Sequence, residues 1–314
     1  MNPKSKKIHL DTDFGGDIDD ICALAFLLKS PEVEITGITT VAENGGIRAG
    51  QVLYTLKISG RTGLPVKAGA DNASGFYPIH LGLPSEERYW PEPITALINP
   101  LDEALELLKQ SIEQGAIIVA IGPLTNLFLL DMKYPGILEQ TEIFFMGGYV
   151  HPARPGFPNW KNEGDFNKQI DVRSAKHVLA IANITLVQLS ITGETFLRQA
   201  HLEPLRNSGP LGQLLAKQAE EFAKDQNFAE KYKDCRNVPK DIINFQYDPL
   251  AVAVALGWDG VKIEKLSLVM DEADGVLSER IDNSGKIFKV ATRVDGERFS
   301  EFWLERVIKP LDTI

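Results

Sequence analysis

Short apolar runs rich in β-branched residues alternate with longer stretches of helical period along the first two thirds of the chain. KKIHLDTD (6–13) reads as a buried strand ending in acid, and DDICALAFLLKS (19–30) as a helix with an almost wholly apolar body. VEITGITTV (33–41) is a second strand, followed by a helix from about Ile47 to Ser59, and PVKAG (65–69) is a short third strand. LDEALELLKQSIEQG (101–115) has the spacing of an amphipathic helix that begins near Asp102 and stops at Gly115. AIIVAIG (116–122) is again a strand, and PLTNLFLLD (123–131) opens a helix with proline at its first position. EIFFMGG (142–148) and ITLVQLS (184–190) continue the pattern, with a helix around Arg173 to Ala182 between them. This alternation predicts an α/β fold: one open, mostly parallel sheet with helices on both faces.

The tail breaks the rhythm. KIEKLSLVMD (262–271), GVLSERI (275–281) and KIFKVATRV (286–294) predict two or three strands joined by turns, a small added β region near the C-terminus. VDGERFSEFWLERVI (294–308) predicts a closing helix. Two long segments lack period, Asp71 to Pro100 and His151 to Lys168, and such segments inside a compact domain are usually functional loops. With no repeat and no low-complexity linker, residues 1–314 read as a single domain.

Composition narrows the partners. Charged residues at 24% and apolar residues at 44% suit a globular protein, while a net charge of −10 argues against nucleic acid or an anionic membrane. No apolar run approaches the roughly 20 residues needed to span a bilayer. The opening MNPKSKKIHLDTD lacks the apolar stretch of a secretory signal. Cys22 and Cys235 cannot make a disulfide framework and are expected to be reduced thiols in a cytoplasmic protein.

The candidate chemistry lies in DTDFGGDIDD (11–20), five aspartates in ten positions. Asp11 and Asp13 occupy alternate positions at the carboxyl end of the first strand, where open α/β sheets bind ligands. Gly15 and Gly16 permit a sharp turn, and Asp17, Asp19 and Asp20 lead into the next helix. Crowded carboxylates raise one another's pKa and protonate unless a cation compensates. A hard divalent ion, Ca²⁺ or Mg²⁺, fits better than Zn²⁺, because no histidine or cysteine is adjacent. The plainer reading makes Asp19 a helix cap and Asp17 a solvated acid. A phosphatase with Asp11 as nucleophile also begins D-x-D, but the Phe14-Gly15-Gly16 continuation departs from that pattern, and no phosphate-cradling G-x-x-x-x-G-K-[ST] is present.

D-x-D-x-G followed by paired aspartates and an apolar helix resembles the metal site of the inosine–uridine-preferring nucleoside hydrolases. TTVAEN (39–44), GRTGLPVKAGA (60–70), GPLTNL (122–127), FMGG (145–148), GDFN (164–167) with Asp171 beyond it, and YDPLAVAVAL (247–256) resemble further segments of that family, in family order over most of the chain. The resemblance implies Ca²⁺ held by Asp13, Asp20, the main-chain carbonyl of Thr125 and Asp248, with Asp13 as general base on a calcium-bound water. It implies that Asp19, Asn44, Asn159, Asp165 and Asn167 hydrogen-bond a ribose, that Met146 lines it, and that His80 is a loop histidine of the site. The activity implied is hydrolysis of a ribonucleoside to ribose and free base, in nucleoside salvage, by a homodimer or homotetramer. Taken alone, Asp248 reads equally as a helix cap and Thr125 as part of a helix's first turn.

Three departures bear on the chemistry. Two residues are inserted between Asp13 and the Asp19–Asp20 pair, and Asp165 stands where glutamate is usual. Tyr247 stands where a histidine protonates the leaving base, and a phenol of pKa about 10 is a weaker acid than an imidazole of about 6.5. Activation of the leaving group then falls to Tyr247 as a catalytic residue, to Tyr232, or becomes unnecessary for an activated substrate. The same substitution leaves a second reading open, a ribose- or nucleoside-binding protein with weak or no turnover. Phe76, Tyr77, Tyr89, Trp90, Tyr149, Phe157 and Trp160 crowd the two irregular loops, to pack them or to stack on a base.

Overall fold

The computed structural model describes residues 5–71 and 86–310; His80, Phe76 and Tyr77 lie outside them. Eleven strands are described: β1 (Lys6–Thr12), β2 (Val33–Thr40), β3 (Val66–Ala68), β4 (Ile117–Ala120), β5 (Glu142–Met146), β6 (Asn183–Val187), β7 (Phe196–Arg198), β8 (Ile242–Phe245), β9 (Val261–Ala273), β10 (Val276–Ile281) and β11 (Lys286–Val294). Nine form one sheet in the order β10-β9-β11-β6-β5-β4-β1-β2-β3. The stretch from β6 to β3 is parallel throughout, as the alternation of strand and helix predicts. The tail does not form a separate layer: β11 pairs parallel with β6, and β9 and β10 extend that edge antiparallel. A two-stranded ribbon of β7 and β8 stands apart.

Helix character follows position. All ten residues of Asp19–Leu28 are buried, which explains an apolar body without an amphipathic stripe. The helix Tyr247–Leu256 packs beside it and is buried from Asp248 to Ala255. Leu101–Glu113, on the outside, buries only one stripe, with Ala104, Leu105, Leu108 and Ser111 inward. The closing helix Gly296–Ile308 starts where the Asp295 side chain accepts from the Arg298 amide. It lays Trp303 against Asp19–Leu28, and the indole N–H donates to the Cys22 carbonyl at 3.1 Å. The C-terminus therefore backs the helix that carries Asp19 and Asp20.

Sequence pattern overlooked one large element. Pro210–Gln226 is a 17-residue helix with proline in its first turn, burying Leu211, Leu214, Leu215, Gln218, Ala219 and Phe222. Those positions have plain helical spacing, so the signal was present. The strand predicted at ITLVQLS ends at Val187, and Leu189–Thr192 turns into a short helix.

A buried polar chain runs under the carboxyl end of the sheet. His9 Nδ1 lies 2.8 Å from the Ser111 hydroxyl and Nε2 lies 3.0 Å from that of Thr39. The Thr39 hydroxyl donates to Asp11 Oδ1 at 2.5 Å, which leaves Nε2 to carry the imidazole proton. Burial pushes His9 down to about 3. An unfolded chain protonates this histidine near 6.5, so between those values the unfolded state binds more protons, and His9 costs stability progressively as pH falls. A His9→Gln variant keeps a donor and an acceptor without titrating. Between about pH 7 and about pH 4 the parent should lose on the order of 3 kcal/mol relative to that variant in urea unfolding; parallel pH slopes for the two proteins would contradict a neutral buried His9.

Candidate active site

A cavity of about 310 Å³ opens where Asp13 follows β1 and Ile121 follows β4. This is the point at which strand order reverses, where neighbouring connections leave in opposite directions and a crevice is unavoidable. Its floor is acidic, with Asp13, Asp17, Asp19, Asp20 and Asp248 all lining it. Asp19 and Asp20 sit in the first turn of one buried helix and Asp248 in the first turn of the other. Both helix N-termini thus direct a positive dipole end toward the acids. Neither helix has a side-chain cap, so the capping reading of Asp19 and Asp248 fails and their oxygens remain available.

Close approach of the strand ends has a local cause. A Cβ on Gly122 would lie 2.8 Å from the Asp13 amide nitrogen and 2.9 Å from Asp13 Oδ1, so only glycine fits beside that carboxylate. Arg48 holds the aspartate turn from outside, donating to the carbonyls of Asp13, Phe14 and Ala42. Thr12 donates to Asp20, and Asn244 donates to Asp17 Oδ1 at 2.6 Å.

Burial is the largest force on every one of these acids, and each stands above the ordinary carboxylate range. Asp17 is pushed up to about 7, while Asp19, Asp20 and Asp248 lie well above their usual value because burial is reinforced by mutual repulsion. Asp13 is raised by burial and held back by Arg48. One guanidinium engaged with carbonyl oxygens does not neutralise five acids. Carboxylate oxygens of Asp19, Asp20 and Asp248 come within 4.8 Å of one another, with no histidine or thiol in the group. An oxygen-only donor set that ionises only beside a positive charge fits a hard divalent cation.

Most of the predicted residues converge here. Asp13, Asp19, Asp20, Met146, Asp165, Asn167, Tyr247 and Asp248 all line the cavity. Thr125 is not among the described lining residues: it opens the helix Thr125–Lys133, and its hydroxyl donates to Asp171 at 2.7 Å. Four residues earlier, Ile121 does line the cavity, and its carbonyl accepts from Asn167 Nδ2 at 3.0 Å. Asn44 is exposed on the loop after β2, and Asn159 is exposed with its carboxamide oxygen taken by the Tyr149 hydroxyl. Neither is among the described lining residues. His80 lies outside the described residues. Asp11 is fully buried beneath the cavity, with Oδ1 bound to Thr39 and Asn126, a poor position for a phosphatase nucleophile.

The opposite wall is aromatic. Trp160, Phe222, Phe228 and Tyr247 line it, and Trp160 meets Tyr247 edge-on at 5.8 Å between ring centres. The Trp160 indole donates to the Tyr232 hydroxyl at 3.1 Å. Phe222 and Phe228 belong to the region around Pro210–Gln226, whose helical period went unread. Burial raises the Tyr247 phenol well above 10, and Tyr232 and the acids reinforce it.

This fold is that of the nucleoside hydrolases, glycosidases that act on N-glycosyl compounds. The chain belongs to the inosine-uridine preferring nucleoside hydrolase family, whose model matches residues 8–301. It is 28% identical over 228 residues to the pyrimidine-specific ribonucleoside hydrolase RihA of Photobacterium profundum, covering 68% of this chain and 70% of that protein. It is 29% identical over 233 residues to a probable uridine nucleosidase 2 of Arabidopsis thaliana, covering 68% of each. Among solved structures, a purine-preferring ribonucleoside hydrolase from Gardnerella vaginalis superposes with a TM-score of 0.78 at 22% identity, over 96% of this chain and 98% of that one. A plant nucleoside hydrolase does so at 0.77 and 23% identity, over 97% and 99%. The family is metal-dependent, and among the described residues the acid cluster is where an ion fits.

Mutual repulsion makes a prediction with a crossover. In chelator, Asp248→Asn should melt a few degrees above the parent, because one member of a repelling buried set is gone. With millimolar Ca²⁺ or Mg²⁺ the parent should rise by several degrees and the variant hardly at all. A parent whose melting temperature ignores both ions would remove the cation from the site.

Proposed function

We propose that the protein hydrolyses the N-glycosidic bond of a ribonucleoside to ribose and free base, with Ca²⁺ as the resident ion. The observation that carries the reading is the gathering of Asp13, Asp19, Asp20 and Asp248 in one cavity with Trp160, Phe228 and Tyr247, rings of a kind that can stack on a base. Asp13, Asp20 and Asp248 would hold the ion, with Asp19 close by and a main-chain oxygen from the turn after β4. Thr125 was the expected source of that oxygen; cavity lining favours Ile121. When bound, such an ion supplies Lewis acidity that eases deprotonation of a nearby water.

The chain's own residues do the rest. Asp13 accepts the proton of the attacking water, which adds to C1′ as the C–N bond breaks. Positive charge grows on the sugar ring in that step, and the carboxylates around it stabilise the charge without moving. Asn167, whose Nδ2 is spent on the Ile121 and Met146 carbonyls, is held with its amide oxygen fixed for a sugar hydroxyl. Trp160 and Phe228 offer faces to a base. Tyr247, hard to deprotonate, stays a hydrogen-bond donor across the working pH range and directs that bond at the leaving base. Asn44 and Asn159, together with His80 outside the described residues, are the remaining residues that the family resemblance assigns to sugar contact. The free thiols of Cys22 and Cys235 suit a cytoplasmic salvage enzyme, and the family resemblance suggests a homodimer or homotetramer.

Ribose release from inosine, uridine, cytidine, adenosine and guanosine, with and without chelator, is the direct test. Asp13→Asn should lower kcat by roughly a thousandfold or more on every substrate that the parent cleaves; a variant with near-parental kcat would take the base role away from Asp13. Tyr247→Phe should slow natural nucleosides by about 10–100-fold yet barely change a nitrophenyl riboside, whose leaving group needs no proton. Equal losses on both substrates would show that Tyr247 does not serve the leaving group.

A further inference from the structure

Lys168 is fully buried, an unusual place for an ammonium group. Its Nζ lies 2.7 Å from both oxygens of Glu279 on β10, 3.0 Å from Asn162 Oδ1 and 3.5 Å from Asp165 Oδ2. Glu279 and Asp165 are buried too. The two carboxylates grip consecutive backbone amides of the turn after β5: Asp165 accepts from Gly148 at 2.5 Å and Glu279 from Tyr149 at 3.1 Å. One residue on, Gln169 binds the Leu277 carbonyl at 2.7 Å and the Leu277 amide at 3.0 Å, a two-point clasp on the same strand. The segment so fastened supplies Gly164, Asp165, Phe166 and Asn167 to the cavity wall. An added C-terminal strand thus reaches the site through one buried ion pair and a two-point amide clasp.

We propose that Lys168 and Glu279 are positioning residues: they touch no substrate, but they set the direction and charge of Asp165 and the place of Asn167 at the sugar end of the cavity. This rests on the ribonucleoside reading for what occupies that end. One ammonium between two buried carboxylates leaves each dependent on it, because a buried acid without a counter-charge takes up a proton and turns from acceptor to donor. Burial already pushes Asp165 upward; the Lys168 ammonium is the largest influence opposing it, with the Gly148 and Lys168 amides adding to it. Simple fold support would not require a charged pair here; an apolar pair of similar volume would serve as well.

The test compares Glu279→Gln, Lys168→Met and the surface control Arg280→Ala, which lies exposed on the same strand. For a substrate the parent cleaves, Lys168→Met should raise KM at least about tenfold and Glu279→Gln about three- to fivefold, with kcat within about threefold and the control unchanged. Ribose binding by calorimetry should weaken by the same factors. Where Lys168→Met does not fold, the isosteric Glu279→Gln decides. Hydrogen exchange reads the positioning without substrate: Glu279→Gln should speed exchange across residues 162–169 about tenfold and leave Leu101–Glu113 unaltered. Folded variants with parental KM and parental exchange overturn the positioning role, and a loss confined to kcat does so as well. Absence of turnover by the parent protein overturns the hydrolase reading alone, since the exchange measurement stands without it.

Discussion

Five carboxylates brought out of water at the carboxyl end of the central strands repel each other, and much of the surrounding structure holds them in that costly arrangement. Coulomb energy between like charges a few ångströms apart is several kcal/mol at the effective dielectric of a protein interior. Protonation or a cation relieves it, and only the second leaves the carboxylates able to accept protons and sugar hydroxyls. The two core helices aim their N-termini at the cluster, Gly122 clears the space beside Asp13, and Arg48 pins the turn through its carbonyls. Each device tolerates negative charge without neutralising it.

The same logic separates the two faces of the cavity. Acids need rigid anchoring, and they sit on strand ends and first turns of core helices. The aromatic wall comes from the loop between β5 and β6, which carries Trp160, from the helix Pro210–Gln226 and the residues just after it, and from the start of the helix Tyr247–Leu256. Tyr247 stands at the junction, with Asp248 next in sequence belonging to the acid floor and its own ring to the aromatic wall.

The edge of the sheet adds a third contribution. β9 and β10 lengthen it antiparallel, and Glu279 carries their influence inward to Lys168 and Asp165. Asp165, one methylene shorter than the glutamate of the family pattern, is drawn toward Gly148 and Lys168 and so depends on what stands behind it. Side-chain length and a distant strand become one design element.

Much of the architecture was legible in the chain because its causes are local. Strand period, helix period and the proline and glycine stops located the parallel sheet and most helices, and the acids after β1 announced a site because five aspartates in a turn have no cheap structural use. The order of motifs along the chain carried the family. Long-range geometry decided the rest. Asp248 meets Asp19 and Asp20 across more than two hundred residues only because the two core helices lie side by side. Ile121 rather than Thr125 borders the cavity, and Asn44 and Asn159 stand outside its lining, because side-chain direction depends on where each strand ends relative to its neighbours. Lys168 and Glu279 gave no sign of pairing, since a lysine and a glutamate 111 positions apart look like surface residues until the sheet order puts β10 against the cavity wall. Local patterns record which residue types a segment needs; which of them meet is set by how the strands are ordered.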